Sequence, residues 1–189
     1  RTDTGVHASQ FYLHTELEES VQEKIKLYHL NSLLPWDISV NRIFRTGETF
    51  HSRFDANRRK YIYRLRTRKN PFHRNYCYQF LHESRIQLGR LEEVAAMILQ
   101  TNDFSAFTKS NSGLNHFECQ IHESQWVNPE PGVFEYHIAA NRFVRGMVRL
   151  IVGSCLNYSL VKVVCMIPCS PFILEIMLWL LPLFQEYIR

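Results

Sequence analysis

The sequence predicts an α+β domain, an antiparallel sheet covered on one side by helices. Three observations support this. The chain has 189 residues, 46% hydrophobic and 21% charged, which suffices for one core and excludes disordered and collagen-like classes. Residues 60–66 alternate, with Tyr61, Tyr63 and Leu65 on one side and Lys60, Arg64 and Arg66 on the other, the pattern of a half-buried strand with a charged outer row. Residues 87–100 repeat apolar side chains at helical spacing, at Leu88, Leu91, Val94, Ala95, Ile98 and Leu99.

The remaining elements follow in order. Residues 6–16 read as a loop running into a strand, Phe11 and Leu13 on one face and Tyr12 on the other. Ser20 with Glu23 three residues on makes a capping-box pattern. It opens a helical stripe through Val21, Ile25, Leu27, Tyr28, Leu30 and Leu34, which Pro35 ends. Residues 38–44 suggest another strand. After the helix at 87–100, residues 103–107 form a loop with two aromatic anchors, Phe104 and Phe107. Residues 116–127 and 133–140 predict paired strands, joined by a turn rich in Pro and closed by Gly132. A helix is expected over 142–156, with Arg142, Arg145 and Arg149 lining one face.

Net charge is +4, but it is unevenly distributed. Residues 41–75 hold eleven cations against two acids, a net +9 that leaves the rest of the chain at −5. Such a layout suits a protein that meets polyanions. Five cysteines, an odd number without a CxxC pair, favour reduced thiols over a disulfide framework. The opening Arg1-Thr2-Asp3 has no initiator Met and no signal peptide, and reads as the interior of a longer protein. Residues 160–184 are nearly all apolar but are interrupted by Lys162, Pro168, Pro171, Glu175 and Pro182. That run has the length of a membrane span, roughly 20 residues, without the continuity, so a divergent tail is preferred to an anchor.

Several chemistries lack support. There is no HExxH and no zinc-spaced pair of His or Cys beside a second such pair, no P-loop, no GxGxxG and no GxSxG. Asp3, in Asp-Thr-Gly before a strand, places a carboxylate on a tight loop, although most such aspartates only cap a turn. The segments Phe50-His51-Ser52-Arg53-Phe54 and Arg59-Lys60-Tyr61-Ile62-Tyr63-Arg64 mix cations with aromatics. Nucleic acid asks for that mixture, cations for phosphates and rings for unstacked bases; a solvated basic strand face is the plainer alternative.

Taken together, Arg-Thr-Asp-Thr-Gly-Val-His-Ala, Phe-His-Ser-Arg-Phe, Arg-Lys-Tyr-Ile-Tyr-Arg, Asn-Asp-Phe-Ser-Ala-Phe and the block from Asn141 to Gly153 resemble, in order, the motifs of the TruA family of tRNA pseudouridine synthases. The resemblance covers roughly residues 1–156, read as a catalytic region lacking the family's N-terminal strand and helix; residues 157–189 do not match and are read as a divergent apolar tail.

The resemblance implies the pseudouridine-synthase fold, two similar α+β halves around a central cleft, and a cytoplasmic homodimer acting on the tRNA anticodon stem-loop at positions 38–40 without cofactor or metal. Asp3 matches the catalytic aspartate, Tyr61 the tyrosine that stacks on the target base, and Arg149 the basic partner of the aspartate. Arg1 matches an arginine associated with base flipping, and Arg53 one near the substrate. The chemistry fits these roles: the isomerisation needs an ionised carboxylate beside sugar and base, a cation beside it favours its charged form, and the base must leave its helix. Two rival expectations are an RNA-binding remnant without turnover and a membrane-associated protein held by the apolar tail.

Overall fold

The computed structural model describes residues 2–3, 5–81, 86–108 and 116–160. Thr2–His7 and the chain from Asn57 onward form one unit, while Ala8–Ala56 form another.

The larger unit is built on a four-stranded sheet. Strand β1 is Arg59–Arg66, β2 is Tyr78–Gln79, β3 is Ile121–Glu130 and β4 is Val133–Ala140. Their spatial order is β2-β1-β4-β3. β1 pairs antiparallel with β4 over its whole length, Tyr61 opposite Ile138 and Tyr63 opposite Tyr136, and β4 pairs antiparallel with β3. The two-residue β2 lies parallel to the end of β1, so the sheet is not wholly antiparallel as expected. The β3–β4 connection is tighter than the five-residue turn expected: β3 continues through Glu130, leaving Pro131 and Gly132 between the strands. Gly132 has φ +81°, a conformation that glycine adopts without steric penalty.

Helices α3, Leu88–Gln100, and α4, Met147–Leu160, cover one face. The earlier helices, α1 at Glu19–Gln22 and α2 at Leu27–Leu33, belong to the smaller unit. α3 buries Leu91, Val94, Ala95 and Ile98, four of the six positions its spacing predicts, while Leu88 is half-buried and Leu99 is exposed. These pack with Leu65, Phe104, Phe107, Trp126, Tyr136, Ile138, Ile151, Cys155 and Leu156 in one core. The two aromatic anchors after α3 are fully buried, as expected. Two serine hydroxyls are bonded at the margin of this core: Ser124 Oγ donates to Ala95 O at 2.8 Å, and Ser159 Oγ accepts the Gln87 N–H at the start of α3, also at 2.8 Å.

The other face of the sheet carries a row of ion pairs. Lys60 and Arg58 meet Glu123 at 2.7 and 3.3 Å, Arg64 meets Glu135 at 2.6 Å, and Arg66 meets Glu130 at 3.0 Å. His137 reaches Glu135 at 3.0 Å. Much of the basic character of β1 is thus answered within the sheet.

Four expected elements differ. α4 starts at Met147 rather than 142, because Gly146 takes φ +80°, which a continuing right-handed helix does not allow. Arg142 and Arg145 therefore lie outside α4 and do not share a helical face with Arg149. In the smaller unit, the single helix expected before Pro35 is divided into α1 and α2. The strands expected over 6–16 and 38–44 have no ladder partner among the described residues. That unit is organised instead by side-chain bonds, Asn31 to the backbone of Val40 and His14 Nδ1 to Ser52 Oγ at 2.9 Å. The four-stranded sheet with its helices is the α+β arrangement expected. The apolar run over 160–184 lies outside the described residues beyond Leu160, and among the described residues no helix is long and apolar enough to cross a membrane.

Candidate active site

Asp3 sits on a turn that its own sequence specifies. The Val6 N–H donates to Asp3 O at 3.3 Å, and Gly5, third residue of the turn, has φ +78°, the position at which a type II turn calls for glycine. The Asp3 carboxylate accepts a hydrogen bond from an Arg149 Nη and pairs with it in charge. Arg149 lies in the first turn of α4, so the late start of that helix decides where this guanidinium is presented. His7, four residues after the acid, fixes the other end of the segment. Its Nε2 lies 3.2 Å from Asn75 O, and its ring is 4.3 Å from that of Tyr76.

β1 supplies the aromatic wall. Tyr61 and Tyr63 share the strand face that also carries buried Leu65, and both pack against the core while half-buried. Phe143 meets Tyr61 edge to face, with centroids 5.0 Å apart. Burial raises the Tyr61 phenol above its ordinary value; the Arg59 guanidinium opposes the rise and the Asp3 carboxylate adds to it. Burial also pushes Tyr63 up to about 12, with Tyr78 adding and Arg149 opposing. Arg59 donates to Asn141 O, tying β1 to the segment that carries Phe143.

Of the residues expected at the site, the structure pairs Asp3 with Arg149 and sets Tyr61 on β1, packed against Phe143. Arg53 lies in the smaller unit, exposed on a turn where its N–H donates to His51 Nδ1 at 3.2 Å and its guanidinium lies over the Phe54 ring. Arg1 lies outside the described residues. Sequence reading missed three participants. Tyr63 was legible as the i+2 neighbour of Tyr61 on one strand face, and His7 stood inside the Asp3 motif. Phe143 falls within the helix expected over 142–156, and no local signal places it against Tyr61. Among the described residues no cluster of three or more His, Cys, Asp or Glu could hold a metal ion.

An Asp–Arg pair and a half-buried tyrosine on an α+β sheet can be compared with known proteins. Residues 95–163 match the family model described as tRNA pseudouridine synthase. The chain is 36% identical over 158 residues to tRNA pseudouridine synthase A of Bacteroides fragilis, covering 83% of this chain and 62% of that protein. To the protein of the same name from Bacillus subtilis it is 32% identical over 165 residues, covering 86% of this chain and 66% of that protein. The chain belongs to the TruA family of tRNA pseudouridine synthases. A third TruA relative, from Bacteroides thetaiotaomicron, is 37% identical over 159 residues, and 58% of its length is covered. The chain spans less than two thirds of the length of these relatives. The model match takes in α4 and Arg149, while Asp3 and Tyr61 lie N-terminal to it.

Proposed function

We propose that this protein isomerises uridine to pseudouridine in tRNA, in the anticodon stem-loop at positions 38–40, with Asp3 as the nucleophile. The observation that supports this most is the pairing of the Asp3 carboxylate with Arg149. In the reaction the C1′–N1 bond breaks, the uracil turns over, C5 bonds to C1′, the C5 proton leaves and N1 gains one. No electrons are exchanged with an outside partner. A carboxylate beside sugar and base can act by attack on either or by starting proton abstraction, and Arg149 holds it in place. Tyr61, backed by Phe143, offers a face on which the detached uracil turns. Removing the base from its helix costs a few kcal/mol, which phosphate contacts offset.

On this reading Arg1 assists flipping and Arg53 contacts substrate. Residues 1–156 are the catalytic region, 157–189 are a divergent tail, and the protein works as a cytoplasmic homodimer with tRNA spanning both subunits. Release of tritium from [5-³H]uridine in anticodon stem-loop RNA follows the reaction directly. The protein is expected to release it, and Asp3→Ala to abolish release while RNA binding stays within a few-fold. Turnover retained in Asp3→Ala would remove Asp3 as nucleophile; RNA bound without any release by the unmutated protein would leave only a binding role.

A further inference from the structure

The segment between β1 and β2, residues 67–77, carries Arg68, Lys69 and Arg74 and no acid. It has a defined shape. Thr67 is fixed to Gly132 O through its N–H at 2.9 Å and its Oγ1 at 3.2 Å. The Asn70 side chain accepts the Phe72 N–H at 3.0 Å, opening a single 3₁₀ turn, Pro71–His73. The Tyr76 N–H then closes on His73 O at 3.0 Å.

What this ordered projection presents is unusual for a free surface. Phe72 is 89% exposed and Tyr76 53% exposed. Lys69 and Arg74 are exposed and have no ion-pair partner among the described residues, in contrast to Arg58, Lys60, Arg64 and Arg66 on the sheet. The projection is joined to the catalytic turn: His7, four residues from Asp3, bonds to Asn75 O and packs against the Tyr76 ring.

Rings left in water beside unpaired cations are what a nucleic-acid strand requires, a face for a base and charges for its phosphates. We propose that residues 67–77 form a docking surface for the RNA strand flanking the target uridine, Phe72 stacking on an unpaired base and Lys69 and Arg74 meeting phosphates. This rests on the isomerase reading above for the identity of the RNA. Through His7, the surface is linked to the segment that holds the nucleophile, so an occupied loop and a placed carboxylate go together.

Fluorescence anisotropy with anticodon stem-loop RNA, in parallel with tritium release, tests both layers. Phe72→Ala is expected to weaken binding roughly tenfold with little change in salt dependence, as loss of one stacking platform does, and Phe72→Trp to restore it. Lys69→Gln with Arg74→Gln should weaken binding and flatten the dependence of log affinity on log salt by roughly 0.7–0.9 per cation lost. All these positions are exposed, so the fold is left in place. Wild-type affinity and salt slope in both variants would overturn the docking surface, even if the protein isomerises uridine; the loop would then serve another partner, such as a protein, or none. Weakened binding in the variants with no tritium release by the unmutated protein would uphold the surface and reject the isomerase. RNA left unbound by the unmutated protein would reject both.

Discussion

Tyr63 shows how burial and charge combine at single residues of the site. Its phenol is raised to about 12, chiefly by burial, with Tyr78 adding and Arg149 opposing. An acid whose folded value exceeds its unfolded one, about 10, adds stability that is complete below the unfolded value and is lost as pH rises through the folded value. Absorbance titration of the phenolates is therefore expected to show a component centred near pH 12, and Tyr63→Phe to remove one equivalent of it. The same component persisting unchanged in Tyr63→Phe would assign it elsewhere. At this scale the sequence revealed which kinds of residue matter but not how they meet. Alternation put Tyr61 and Tyr63 on one face. The roles of Asp3 and Arg149 came from the ordered motifs, since nothing local relates residues 146 positions apart.

Among the elements, the β3–β4 hairpin depends on Gly132. Its φ of +81° disfavours any L side chain, and a Cβ there would lie 2.8 Å from Thr67 Oγ1. Gly132→Ala is expected to destabilise the protein by about 1–2 kcal/mol from backbone conformation alone, with further cost from the displaced Thr67. The measurement is the urea midpoint against wild type; an unchanged midpoint would mean that the hairpin relaxes without cost. The variant should also disturb residues 67–77, whose first residue is anchored to the Gly132 carbonyl. Elements with a self-contained pattern were legible: α3 from its apolar stripe, β1 and β4 from alternation and a turn signal. Those that depend on a distant partner were not. Residues 6–16 and 38–44 have strand-like composition but no ladder among the described residues, and a strand is defined by its neighbour as much as by its side chains. α4 was placed too early because apolar spacing ran on through Phe143 and Val144, while Gly146 set the true boundary.

For the whole molecule, the basic stretch reads differently once folded. Several of its cations are matched across strands by Glu123, Glu130 and Glu135, acids far away in sequence, so a linear count of charge overstated what β1 offers a polyanion. The pairing has a consequence in acid. The hydrogen bond from Lys60 holds the Glu123 carboxyl below its ordinary value, with burial opposing and His137 and Arg58 assisting. At Glu135 burial pushes upward, but hydrogen bonds from His137 and Arg64 outweigh it and the net direction is down. Depressed carboxyls give stability that is present above the unfolded value, near 4.5, and is lost as pH falls through the lower folded value. Denaturation of Glu123→Gln and wild type across pH is expected to show a difference at pH 7 that closes below that range; a constant difference would point to packing instead of ionisation. The chain path has its own effect. Thr2–His7 belongs to the same unit as the sheet, yet the 49 residues of Ala8–Ala56 intervene. That excursion is a tether, and its closure entropy grows only slowly with length, so lengthening it costs little. A single proteolytic cut within it is another matter: the covalent link through residues 8–56 would be gone, and the segment bearing Asp3 would rest on non-covalent contacts with the sheet unit such as the Arg149 pair and the His7–Asn75 bond.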